Sequence, residues 1–174
     1  MRIVLFFALI LSSKLLMSAE FVYSSYSIPI ISNNQKKEIK FDSIYLDNDI
    51  DEWIMARGDV ILPMEFRENE NGWSYVNTPY FSLSLKNEWT KIPKNWLYNE
   101  VNYKCVGNAN IEVMGNLVKV SVIHSISSNW RGFIYYSEQK GIVAFANEEN
   151  GPLYLLRSKQ GVMAKNYDKK LCES

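Results

Sequence analysis

The segment around Gly115 sets the tightest limit on what this chain folds into. Ile111 and Val113 lead into Gly115-Asn116, and Val118, Val120 and Val122 follow at every second position. Successive strand side chains point to opposite faces, so a period of two centred on a turn dipeptide predicts a β-hairpin. Three more apolar runs follow, Phe133 to Tyr136, Ile142 to Ala146 and Leu153 to Leu156, with Gly141 and Gly151-Pro152 in the connections. Short strands at this spacing predict an antiparallel meander. One face of such a sheet must be covered, which leads to a sandwich or a partly open barrel.

The N-terminal half carries a weaker pattern. Phe21 to Ile31 suits an extended segment, Asn33 to Lys37 a polar turn, and Ile39 to Leu46 a strand. Asp47 to Ala56 has the signals of a helix start, with Asp49 as cap, Asp51 and Glu52 in the first turn and Gly58 as the stop. One short helix near residues 49–57, burying Trp53 and Ile54, is therefore expected. Val60, Leu62, Met64 and Phe66 return to a period of two, and Pro63 places that strand at a sheet edge. Glu68 to Gly72 reads as a polar turn. Trp73 and Tyr75, then Phe81, Leu83 and Leu85, continue as strands. Asn87 to Asn99 breaks the alternation and reads as a structured loop. The expected fold is mainly β, an antiparallel meander with that single helix.

The first residues differ in character. Met1-Arg2, an apolar run from Ile3 to Leu11 and small residues up to Ala19 compose a secretory signal peptide. The run is shorter than the roughly 20 apolar residues a bilayer span needs, and Lys14 interrupts it, so no span is expected after cleavage. The organisation read from this is a signal peptide at 1–19 and one β-rich exported domain at 20–174, secreted or periplasmic. Disulfides persist in such compartments, so the two cysteines, Cys105 and Cys172, are expected to pair and tie the C-terminal tail to the middle of the chain.

Reactive side chains are scarce. The lone histidine, His124, continues the Val118, Val120, Val122 face, which reads as the buried one. A satisfied core or edge histidine is therefore expected rather than a catalytic base beside Ser121 or Ser125. With one histidine and paired cysteines, neither a zinc site nor a cofactor is expected. Asp47 to Glu52 resembles a calcium loop only in part: position six is Glu52 where glycine is required, and position twelve is Gly58. Arg57-Gly58-Asp59 is explained as a helix stop and the turn after it. Glu65, Glu68, Glu70, Glu148 and Glu149 are available as acid–base pairs, but nothing in the sequence singles out two of them. The chain holds 19 basic and 19 acidic residues. Nucleic-acid binding calls for a basic excess, so no nucleic-acid partner is expected.

Aromatic content is the most distinctive property, with 5 Trp, 11 Tyr and 8 Phe. Trp89, Trp96 and Tyr98 fall in the non-periodic stretch beside Lys91 and Lys94. Such rings offer stiff, amphipathic contact area for a protein partner, or flat faces for a sugar, when they are not folded under the loop. The function expected is an exported, non-enzymatic binding protein of inhibitor or immunity type, recognising a protein through Trp89, Trp96 and Tyr98. A carbohydrate-binding module with exposed Trp and a small glycan or lipid hydrolase are the alternatives.

Overall fold

The computed structural model describes residues 21–27, 40–49, 52–128, 131–165 and 171–173. Among them the chain is all β, with no helix. The strands are β1 (Phe21–Ser27), β2 (Lys40–Asp49), β3 (Glu52–Arg57), β4 (Val60–Pro63), β5 (Glu65–Glu70), β6 (Trp73–Asn77) and β7 (Ser82–Lys86). They continue as β8 (Asn95–Tyr98), β9 (Val101–Val113), β10 (Asn116–Ile126), β11 (Arg131–Ser137), β12 (Gly141–Ala146) and β13 (Tyr154–Leu156). Ten of them form one antiparallel sheet in the order β4-β3-β2-β1-β13-β12-β11-β10-β9-β8. The remaining three form a small sheet, β5-β6-β7. The run from β8 to β13 is the expected meander, because each strand pairs with its neighbour in sequence. Tyr23 opposite Leu156 then joins β1 to β13 and adds the N-terminal strands to the same sheet.

The small sheet packs against the large one, and the large sheet is not closed into a barrel, so the architecture is sandwich-like. Val76 and Leu83 are paired on one face of the small sheet and fully buried. On that side Phe66 meets Trp53 edge-on at 4.9 Å, and Phe81 meets Phe145 at 4.3 Å. Each fully buried aromatic or aliphatic side chain contributes on the order of 1.5–3 kcal/mol. The opposite face carries Tyr75 and Ser84 and meets the β8–β9 end of the large sheet. There the Tyr103 hydroxyl lies 3.0 Å from Ser82 Oγ and 3.3 Å from Ser84 Oγ. The large sheet thus curls round the small one and covers both its faces, which keeps these buried hydroxyls hydrogen-bonded.

Two devices fasten the C-terminal segments. The Cys105–Cys172 disulfide is formed, with Cα atoms 5.8 Å apart and a separation of 67 in sequence. Beside it the Ile92 N–H donates to the Leu171 carbonyl at 3.0 Å, and the Glu173 N–H donates to the Ile92 carbonyl at 3.0 Å. Further up, the buried Tyr23 hydroxyl donates to the Ile142 carbonyl at 2.9 Å and accepts from the Val162 N–H at 3.3 Å. Gly161 makes that approach feasible, since a Cβ there would collide with the Ile142 carbonyl oxygen.

The helix near residues 49–57 does not form. Its residues belong to the β2–β3 hairpin, with Leu46 opposite Met55 and Asp49 opposite Glu52. Capping signals are local and weak, and a helix this short is marginal alone. The hairpin instead buries Leu46 and Met55 and sets Trp53 between Phe21 and Phe66. Ile54 faces the other way and is only half buried. The run from Val60 to Phe66 also divides, β4 ending the large sheet and β5 beginning the small one. Pro63 does lie on an outer strand, where its missing N–H costs no ladder bond. The stretch from Asn87 to Asn99 contains the short strand β8 rather than loop alone. The long hairpin turns at Met114–Gly115, one residue earlier than expected, with both residues at positive φ. The proposed signal peptide and the Asn33 to Lys37 turn lie outside the described residues.

Candidate functional site

The aromatic stretch and the small sheet come together. The Asn99–Glu100 turn joins β8 to β9, both residues having positive φ, as a two-residue hairpin requires. That turn lays Trp96 and Tyr98 over the polar face of β6 and β7. Trp96 stacks on Tyr103 at 5.0 Å and donates from Nε1 to the Ser84 carbonyl at 2.8 Å. Trp89 packs edge-on against Trp96 and against Trp73, each at 5.5 Å. Tyr98 contacts Trp73 at 4.6 Å and Tyr75 at 5.5 Å. All three expected residues, Trp89, Trp96 and Tyr98, therefore belong to one continuous cluster, extended by Trp73, Tyr75 and Tyr103.

The rings of this cluster serve in different ways. Tyr103 is buried, and half-buried Trp96 is tied down by stacking on it and by its indole hydrogen bond. Trp73, Trp89 and Tyr98 are half buried and reach solvent. Lys86 Nζ lies 5.6 Å from the Trp73 ring centroid, a cation–π contact, and Glu88 pairs with that same amine at 3.2 Å. Trp89 meets Trp73 at an interplanar angle of 75° and Trp96 at 79°. The three indoles thus present edges and corners, not the coplanar row on which sugar rings stack.

A cavity of about 50 Å³ opens beside the cluster, lined by Glu65, Tyr75, Asn77, Ser84, Tyr98 and Asn99 among others. Pairing across three strands assembles it, since Glu65 faces Asn77 on β6 and Asn77 faces Ser82 on β7. The Tyr75 hydroxyl donates to Glu65 Oε1 at 2.7 Å, and Glu70 Oε2 stands 3.3 Å from the same oxygen. Burial first, and then the two carboxylates, push the Tyr75 hydroxyl well above the usual phenol range. Tyr98 is pushed the same way by burial, Glu70 and Glu65. Sequence reasoning named Glu65 and Glu70 only among several carboxylates and passed over Tyr75, Ser82 and Ser84. Their strand-like alternation carries no hint of which residues the pairing makes neighbours.

His124 is placed otherwise than expected. Val122 pairs with Gly107 and Ile123 with Cys105, so Val106 is an extra residue in β9. The covered face of β10 changes along its length: Val120 is fully buried toward the hairpin, whereas Ser121, Ile123 and Ser125 on the other face are fully buried toward the far end. His124 lies on the opposite, outer face with its side chain 15% exposed, and Nε2 is 3.2 Å from Glu149 Oε1 but off the line of a hydrogen bond. Its ring stacks on Phe133 at 4.7 Å. Burial lowers its pKa below the usual histidine range, against the pull of Glu149. Ser125 donates to the Ser82 carbonyl on the far face, and Ser121 also faces away, so neither serine stands beside His124. Arg57 of the Arg-Gly-Asp tripeptide donates to the Tyr80 hydroxyl at 2.9 Å and packs over that ring.

No group of three or more potential metal ligands occurs among the described residues. The Asp49, Asp51 and Glu52 side chains lie outside what the structure describes. The buried disulfide is compatible with an extracellular or periplasmic location. No protein-family model, no curated protein and no solved structure matches this chain.

Proposed function

We propose that the chain is an exported, disulfide-fastened β-sandwich that acts by binding a protein partner, as an inhibitor or immunity-type factor does, rather than by catalysis. The observation that carries this reading is the continuous aromatic cluster of Trp73, Trp89, Trp96 and Tyr98, each half buried, with Trp96 stacked on buried Tyr103. Large, stiff rings backed by a fixed layer lose little side-chain entropy on binding, and Trp and Tyr dominate interface energetics for this reason. Lys86 over Trp73 and Glu88 paired with it put charges of both signs beside the patch, as at the polar rim of a protein interface. The edge-to-face indoles weigh against a sugar platform. His124 on the face opposite Ser121 and Ser125 weighs against a Ser–His hydrolase built on either of them. Export rests on the leader at 1–19 and is supported by the disulfide.

The test is affinity capture from the native secretome or envelope with the oxidised chain, alongside Trp89→Ala. One stoichiometric protein is expected on the wild-type chain and is lost on the variant, whose fold is checked by circular dichroism. Recovery of no such protein, or equal recovery on both, overturns the reading.

A further inference from the structure

We propose that the cavity beside the cluster receives the ammonium group of a lysine side chain presented by the protein partner. This deepens the binding function above and rests on it. A phenol hydroxyl has one proton, and ionised carboxylates only accept. Tyr75 has that one proton for two carboxylates, Glu65 Oε1 at 2.7 Å and Glu70 Oε2 at 3.3 Å. Two acceptor-only groups on one hydroxyl leave the site short of a donor. Arg67 answers this only partly, its Nε lying 3.8 Å from Glu70 Oε2 with both side chains at least half exposed.

The lining has the same bias. Glu65 carries the only formal charge in it, and Asn77, Ser82, Ser84 and Asn99 add neutral oxygens. Tyr75 and Tyr98 add aromatic rings to the lining, and aromatic rings attract cations placed over their faces. The raised hydroxyls of both tyrosines report the same negative field after burial is counted. Next to the site, Lys86 already lies over Trp73, so this aromatic surface holds an ammonium from the chain itself.

Size selects among cations. A volume of about 50 Å³ is several times the roughly 10–15 Å³ of probe-occupied space that one water needs. It takes a compact ammonium and the carbon next to it, but not a sugar ring or a drug-sized ligand, which need about 300 Å³ or more. The planar fork of a guanidinium demands a wider slot and matched bidentate acceptors, so lysine is preferred to arginine. The mouth lies at exposed Glu65, Asn77 and Asn99, and the floor at buried Ser82 and Ser84. A lysine entering from an interface on the neighbouring rings reaches that floor end-on.

The test is an NMR titration of the full oxidised chain with an end-blocked tripeptide holding lysine between two glycines. Saturable shifts are expected at Tyr75, Tyr98 and Ser84. The same peptide with norleucine, which keeps the alkyl chain and loses the charge, is expected to shift none of them. Glu65→Gln removes one charge-assisted contact at constant size and is expected to weaken binding by about tenfold. No saturable shift, equal response to norleucine, or unchanged binding by Glu65→Gln each overturns the proposal, and the norleucine arm needs no variant to fold. n-Propylammonium binding as tightly as the peptide also overturns it, assigning the cavity to a free amine. The titration needs no partner and capture with Trp89→Ala needs no cavity, so the two readings fail separately. Peptide binding with undiminished partner capture by Glu65→Gln removes the partner's lysine while leaving the capture result intact.

Discussion

Replacing Tyr23 by Phe removes one oxygen atom and isolates one interaction. The Tyr23 ring is fully buried and meets Phe145 edge-on at 5.2 Å, a contact phenylalanine keeps. The lost hydroxyl is the one that donates to the Ile142 carbonyl at 2.9 Å and accepts from the Val162 N–H at 3.3 Å. A hydrogen bond contributes about 0.5–1.5 kcal/mol net, but a buried donor left without an acceptor costs about 1–3 kcal/mol. The Val162 N–H becomes such a donor, since Val162 has no exposed surface. The expected destabilisation is about 2–3 kcal/mol by that accounting. For a chain of this length each kcal/mol lowers Tm by about 2–4 °C, so a fall of about 4–12 °C is expected. Urea unfolding of the oxidised protein is the assay. The midpoint should fall with an unchanged slope, because the surface exposed on unfolding is unchanged. Amide exchange at Val162 should accelerate more than exchange in β10. Tyr136→Phe is the internal comparison: its hydroxyl lies 3.5 Å from the Met163 carbonyl, at the limit of a bond, and should cost less. An unchanged midpoint together with unchanged Val162 protection would refute the reasoning that this hydroxyl fastens the 161–165 segment to β1.

Other perturbations follow from the same structure. Reducing the Cys105–Cys172 bond releases a closure of 67 positions, expected to cost up to about 4 kcal/mol by the chain-entropy relation, and coincident unfolding curves with and without reductant would contradict it. Burial raises the folded pKa values of Tyr23, Tyr75, Tyr103 and Tyr136 above the ordinary phenol value of 10.0, so the folded state holds these protons more tightly than the unfolded chain. Stability is then complete below about pH 10 and falls as pH rises above it; a flat midpoint across alkaline pH would count against this, and Tyr23→Phe should lessen the slope. His124 has a lowered folded pKa, so stability should fall as pH drops through the ordinary histidine value of 6.5, a slope that His124→Gln should reduce in acid denaturation curves. Gly161→Ala drives a Cβ into the Ile142 carbonyl and should cost at least as much as the roughly 1–3 kcal/mol of an overpacked core; a variant with wild-type Tm would show that the segment gives way freely.

Hairpins in the C-terminal half were legible because alternation and turn residues are local signals. Val118, Val120 and Val122 announce a strand wherever it ends up, and Gly115 announces its turn. Residues 49–57 misled for the same reason: Asp49 and Gly58 are good local helix signals, outweighed by cross-strand burial of Leu46 against Met55. His124 misled because the small sheet covers the other face of β10 at its end, burying Ile123 and Ser125, and nothing in the β10 alternation shows that. Trp89, Trp96 and Tyr98 stood out by breaking the pattern. Glu65, Tyr75 and Ser84 did not, since they sit in ordinary strand alternation.

The sequence by itself determined the periods, the turns and the two cysteines available to pair. Tertiary structure alone decided which face of each strand is inward, which sheet β5 joins, and that Glu65, Asn77 and Ser82 stand in one row beside Tyr98. The physical reason is that a strand's period depends only on its own backbone, whereas its register, and which of its faces is covered, depend on partners distant in sequence.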